Sequence, residues 1–201
     1  MQLIVEDFES LAPVVLHPEP MTDDEFYDFC QQYPDCTVER TAEGEILIMP
    51  PPGGESGYQN HDLNGQLWQW TKKDGRGRSF DSSTDFMLPN NAARSPDAAW
   101  ILRSRLDRLT KERKRKFIRL CPEFVVELRS PSDRLNRLQS KMQEWIDNGT
   151  ELGWLIDPDH RTVYVYRPGR EPEKLVNPER VAGEGPVDGF ILDLRDIWAG
   201  L

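Results

Sequence analysis

Cysteine and histidine are scarce in this 201-residue chain, at three of each. Cys30, Cys36 and Cys121 are odd in number and share no paired spacing. That argues against a disulfide framework and against a zinc site of Cys/His type, so all three read as reduced thiols. His17, His61 and His160 are scattered and present no ligand spacing. No apolar run approaches the ~20 residues that a membrane-spanning helix needs, so no membrane association is expected. The opening MQLIVEDFES is acidic and has no basic stretch ahead of an apolar one. It does not read as a secretory signal, and the expected location is the cytoplasm. Positive charge is also short, with a net charge of -10. This counts against a plain nucleic-acid binder, whose affinity rests on neutralising phosphates with Lys and Arg. The hydrophobic share of 37% and charged share of 30% suit one domain with a sizeable core.

Within that acidic background the charge is segregated along the chain. Residues 94–119 hold ten basic against three acidic residues, and residues 171–201 hold seven acidic against three basic. The basic stretch reads equally well as a DNA contact or as a solvated, charged helical loop.

Residues 1–20 contain apolar LIV and VVL pieces broken by Pro13, Pro18 and Pro20. They predict an extended arm, too apolar to float free, that packs on a second subunit or along a sheet edge. A homodimer is the expected assembly, and residues 21–201 read as a single domain. MTDDEFYDFCQQYP predicts a helix with a capping box from Thr22 to Glu25, ended by Pro34. TVERTAEGEILIMP predicts a hairpin around an AEG turn. A second helix is expected over residues 56–73, with Leu63, Leu67, Trp68 and Trp70 on one broad face. SFDSSTDFMLPN and SPDAAWIL read as strands, and residues 103–119 place Leu106 and Leu109 on one helical side. FVVELRS is an apolar strand of the buried type. SPSDRLNRLQSKMQEWIDNG predicts a helix with Ser130 as N-cap, Pro131 at N1 and Gly149 just past its end. GWLID and TVYVY form a hairpin, and FILDL is a last short strand. The tryptophans at 68, 70, 100, 145 and 154 sit in periodic apolar contexts and read as core or interface.

The chemistry centres on Asp97 and Glu127, each on a predicted strand. A carboxylate closing an apolar strand is costly to bury unless it is paired or metal-bound. Two carboxylates from neighbouring strands, with a backbone carbonyl, make the hard oxygen set that Mg²⁺ prefers. Such an ion polarises a phosphate and lowers the pKa of a bound water, which is the physical case for phosphodiester hydrolysis. A cation beside the attacked phosphate would complete the site. Arg129 follows Glu127 by two residues and so falls on the same strand face, but it cannot act as a base. Lys141 is the other candidate, on the border of the Leu138–Met142 stripe of the following helix. Taken singly, these residues have plain readings: Asp97 bonded to backbone at a strand start, Glu127 a salt-bridged strand residue, Lys141 a surface lysine and Glu39 a cross-strand partner.

The ordered set VERTAEGEI, the long helix after GGESG, SPDAAW, FVVELRSPSD, KMQEWIDNG and GWLIDP resembles the PD-(D/E)xK nuclease superfamily. More closely, it is similar to a large bacterial family in it, named for restriction endonucleases of unknown specificity. The likeness covers about residues 21–198. It implies an α/β (α+β) fold with a mixed central sheet flanked by helices. It implies Asp97 and Glu127 as ligands of Mg²⁺ or Mn²⁺, with DNA as the substrate of an endonuclease. It places the site lysine at Lys141, displaced onto the helix, and a further acidic residue at Glu39. The chain departs from the wider superfamily in carrying Arg129 where a lysine is usual. The alternative is a non-catalytic interaction or nucleic-acid-associated protein built on a nuclease fold, which the net charge and Arg129 favour.

Overall fold

These capping and alternation signals resolve into short strands and a few helices in a computed structural model that describes residues 13–34, 36–49 and 51–201. The first elements are β1 (Val14–Leu16), α1 (Asp23–Gln31), β2 (Thr37–Arg40), β3 (Ile46–Met49) and α2 (Gly54–Asp74). Then come β4 (Gly77–Asp81), β5 (Phe86–Met87), β6 (Ala93–Arg94), β7 (Ala98–Leu102) and α3 (Arg103–Leu106). The second half holds β8 (Phe124–Leu128), α4 (Leu135–Asp147), β9 (Leu152–Asp157) and β10 (Thr162–Tyr166). It ends with β11 (Glu173–Val176), β12 (Arg180–Ala182), β13 (Ile191–Asp193) and α5 (Arg195–Ala199).

The main sheet runs β11-β10-β9-β8-β7-β4. Its centre pairs β8 with β9 in parallel, and the other neighbours are antiparallel. A parallel pair needs a crossover, which α4 supplies. A second sheet runs β1-β3-β2-β6-β5, and β12 pairs with β13 alone. This is the mixed sheet flanked by helices that the resemblance implied.

Strand alternation sorts the core into two faces. On one face Ala98, Trp100, Phe124 and Val126 pack against Leu63 and Leu67 of α2. On the other, Ala99, Ile101, Val125 and Leu155 pack against Met142, Trp145 and Ile146 of α4. All five residues of β8 are therefore buried, as expected where both faces of a parallel pair are covered. Glu127 follows Val125 by two residues and so belongs to the α4 face. A smaller cluster of Phe26, Val38, Ile46, Ile48, Met87 and Ala93 joins α1 to the second sheet.

The α1 capping box forms as expected, with Thr22 accepting from the Glu25 N–H and Glu25 accepting from the Thr22 N–H. α4 begins later than expected. Asp133 accepts from both the N–H and the hydroxyl of Ser130, closing a turn. Ser130 is thus spent locally, and Arg134 caps the helix without a side-chain bond. Gly149 does lie just past the helix end, at φ +113°. Residues 103–119 give only the four-residue α3 and a single 3₁₀ turn at Arg113–Arg115. A continuous helix there would stack like charges at i, i+3 and i, i+4. β11 and β12 escaped the sequence reading because most of their residues are exposed and little apolar alternation marks them. Trp100, Trp145 and Trp154 are fully buried, but Trp68 is 56% exposed, with the Lys72 ammonium over its ring. From the proposed arm, β1 pairs antiparallel with β3 at the edge of the second sheet; residues 1–12 lie outside the described residues.

Candidate active site

Ala98 of β7 lies opposite Val126 of the antiparallel β8. The residue before β7 and the residue near the end of β8 therefore meet at one end of the sheet, and these are Asp97 and Glu127. Asp97 Oδ2 accepts from the Leu128 N–H at 2.7 Å, so it bonds directly to the Glu127 strand. Its Oδ1 accepts from Asn60 Nδ2 at 3.1 Å, and its main-chain carbonyl accepts from Asn64 Nδ2 at 2.9 Å. Asn60 and Asn64 are one helical turn apart on α2, which lets them grip one residue together.

Lys141 joins the carboxylates. Its Nζ is 2.7 Å from Glu39 Oε1 and 3.0 Å from Glu127 Oε1, and it donates to the Ser95 carbonyl at 3.0 Å. An ammonium has three donors, and these acceptors take all of them. One turn further along α4, Trp145 Nε1 donates to Glu127 Oε1 at 2.9 Å. Glu39 also accepts from the Ser95 N–H at 3.1 Å and from Arg94 Nη1 at 3.0 Å. Arg94 Nε in turn donates to Glu144 at 2.6 Å. All four residues singled out from the sequence thus converge on one sheet end. Three of them (Glu39, Glu127 and Lys141) are joined by ion pairs.

Arg129 does not join them. Its Nη1 donates to Asp157 Oδ2 at 2.9 Å and its Nε to the Asp133 carbonyl at 3.2 Å. β8 ends at Leu128, and the Arg129 N–H is held by the Ile156 carbonyl. Asp157, at the end of β9, is 1% exposed. A carboxylate that deeply buried needs a cation, and Arg129 supplies it with His160 alongside.

Burial dominates the electrostatics. It pushes Glu127 above the usual carboxylate range; Lys141 and the Trp145 N–H oppose this, and Asp97 and Glu39 reinforce it. Asp97 is raised for the same reason, with the Leu128 N–H and Lys141 opposing. Burial would also raise Glu39, but Lys141 and Arg94 together hold it below its ordinary value. Lys141 resists desolvation because Glu127 and Glu39 flank it, and its proton is held more tightly than usual. Sequence reasoning missed Asp85. Burial pushes it up to about 7, Glu39 adds to the shift and Lys141 opposes it. Its Oδ1 is buried without a hydrogen-bond donor among the described residues.

Among the described residues no three Asp, Glu, His or Cys side chains form a ready-made metal cage. The donor set nevertheless fits a hard divalent cation. Asp97 and Glu127 supply oxygen only, and their burial and mutual proximity leave negative charge that a cation would relieve. Mg²⁺ commonly takes one or two carboxylates and keeps water or substrate phosphate for the rest. Asn60, Asn64, Trp145, Arg94 and Ser95 complete the surroundings. Of these, Trp145 reads from the sequence as core or interface, and the others leave no sequence signal beyond the RSPD run before β7.

The family model Uma2, described as "Putative restriction endonuclease", matches residues 23–195. A crystal structure of a protein from Anabaena variabilis ATCC 29413, described as a "putative nuclease belonging to DUF820", superposes with a TM-score of 0.72. It is 25% identical and covers 90% of this chain and 98% of its own. The mixed sheet and its helices are thus restriction-endonuclease-like. No curated protein matches the chain.

Proposed function

The chain belongs to the Uma2 family, and we propose that it acts as an endonuclease that hydrolyses DNA phosphodiester bonds with Mg²⁺ or Mn²⁺. Asp97 and Glu127 would hold the ion, which when bound polarises the attacked phosphate and acidifies water. Asn60 and the Leu128 N–H orient Asp97; Trp145 and Lys141 orient Glu127. Lys141 holds its proton tightly. Its part is therefore to place positive charge beside the developing phosphate charge rather than to remove a proton. Glu39 serves as the second anchor of the Lys141 ammonium, set by Arg94 and the Ser95 N–H. The family's lysine function is taken here by Lys141, not Arg129.

The observation that carries this reading is the Lys141 bridge between Glu39 and Glu127, made from a helix while Arg129 is committed elsewhere. The test is plasmid nicking by the purified protein with Mg²⁺ or Mn²⁺, beside Asp97→Ala and Lys141→Ala. Cleavage abolished in both variants is the expected result. Cleavage that survives Asp97→Ala would sink the proposal, and the non-catalytic reading would gain if calorimetry also detected no Mn²⁺ binding. We further propose that residues 21–201 act as one nuclease-type domain, that the protein is a homodimer and that it works in the cytoplasm. Light scattering tests the dimer.

A further inference from the structure

On α4, Lys141 and Trp145 lie on one stripe, four residues apart, and both contact Glu127. The same stripe continues toward the helix N-terminus through Arg137 and Arg134, since residues at i, i+3 and i+7 share a face. Both arginines are exposed, and neither side chain has a hydrogen bond or ion pair among the described residues. This sets them apart from cations already committed to carboxylates. Arg94 is spent on Glu39 and Glu144, Arg105 on Glu123, Lys116 on Asp24 and Arg129 on Asp157. In a chain of net charge -10, two free guanidinium groups in line with the buried site lysine form a local positive track.

The geometry points to this track as the seat of the DNA strand. We propose that Arg137 and Arg134 bind successive backbone phosphates beside the one attacked. The proposal rests on the endonuclease reading and extends it to the substrate contact. Along the helix axis Arg137 lies about 6 Å from Lys141 at ~1.5 Å per residue, and Arg134 caps the helix three residues further on. Guanidinium groups suit phosphate oxygens because they donate in a planar fork. The exposed cations Lys111 and Lys114 are also unpaired among the described residues, but they lie before β8 and not on the α4 stripe that carries Lys141. They serve as the comparison.

The test is binding of a short fluorescein-labelled DNA duplex, in EDTA so that nothing is cut, across about 50–200 mM KCl. For wild type, log K falls linearly with log salt. Removing one arginine–phosphate pair should flatten the slope by about 0.9. Arg134→Gln with Arg137→Gln should therefore flatten it by about 1.8 in total. Lys111→Gln with Lys114→Gln removes the same charge and should leave the slope at the wild-type value. Arg134→Lys with Arg137→Lys should retain it, which guards against a folding artefact. An unchanged slope in the arginine-to-glutamine pair overturns the proposal. So does an equal change in both glutamine pairs, or no duplex binding by wild type at the lowest salt. If cleavage depends on Asp97 while the slope is unmoved, the track is wrong and the endonuclease stands. If the slope moves but nothing is cleaved, the track stands and the endonuclease reading fails.

Discussion

Asp85 should be a liability at neutral pH, and Asp85→Asn should remove it. In the unfolded chain this carboxyl titrates near 3.8; in the folded protein, burial and the neighbouring Glu39 push it up to about 7. Between those two values the folded state binds a proton that the unfolded state has already released. Stability must therefore fall as pH rises through that window. Three pH units at about 1.4 kcal/mol each give a ceiling of about 4 kcal/mol, fully expressed above pH 7. Asn keeps the shape and carries no charge. At pH 8 the variant should be more stable than wild type by up to about 4 kcal/mol, and near pH 4 the difference should shrink to roughly zero. For a chain of this size that corresponds to about 8–16 °C in melting temperature. Urea denaturation of both proteins at pH 4 and pH 8 measures it directly. Two results would refute the reasoning: a variant less stable than wild type at pH 8, or a gain of equal size at both pH values. A gain in stability accompanied by loss of cleavage would show that the charge is retained for function.

Further outcomes follow from the same network. Lys141→Ala strands Glu127 and Glu39 without their shared cation and should cost about 3–5 kcal/mol in denaturant unfolding. Trp145→Phe removes the Nε1–H that orients Glu127, and Mn²⁺ affinity measured by calorimetry should weaken by about 10–100-fold. Arg129→Ala should leave Mn²⁺ affinity close to wild type while destabilising the fold by about 3–5 kcal/mol, because Asp157 is left buried with only His160 beside it. A large loss of metal binding in Arg129→Ala, with stability intact, would place that arginine in the site after all.

The site was legible in the sequence to the extent that its members lie on ordered motifs. Asp97 before an apolar strand and Glu127 at the end of another implied a shared sheet end, and the antiparallel register of β7 and β8 delivers it. Lys141 was a candidate from its place on the border of the helix stripe, where a lysine can equally reach solvent, and it was the resemblance that put it in the site. What was hidden depends on pairings between distant segments. Asn60 reaches Asp97 across 37 positions and Arg94 reaches Glu39 across 55; periodicity carries no information about such pairs. The start of α4 was misplaced because Ser130 and Asp133 can form either a helix cap or a closed turn, and local bonding settled on the turn. Arg129 was placed by alternation on the Glu127 face. Alternation holds only while the strand lasts, and β8 stops one residue earlier.

The lysine on α4 also makes the charge balance of the sheet end depend on the docking of a separate helix. Glu39 and Glu127 are held by the sheets, whereas the ammonium between them arrives only when α4 docks. If α4 lifted, the carboxylates would face one another with Arg94 as the cation left bonded to Glu39 among the described residues, and the Trp145 bond to Glu127 would be lost with it. Opening this helix is therefore penalised by charge as well as by the exposure of Met142, Trp145 and Ile146. Amides of α4 and of the Phe124–Leu128 strand should accordingly exchange with solvent as a single cooperative unit rather than fraying from the exposed helix end. Lowering the pH toward the range where the carboxylates take up protons should loosen that coupling first.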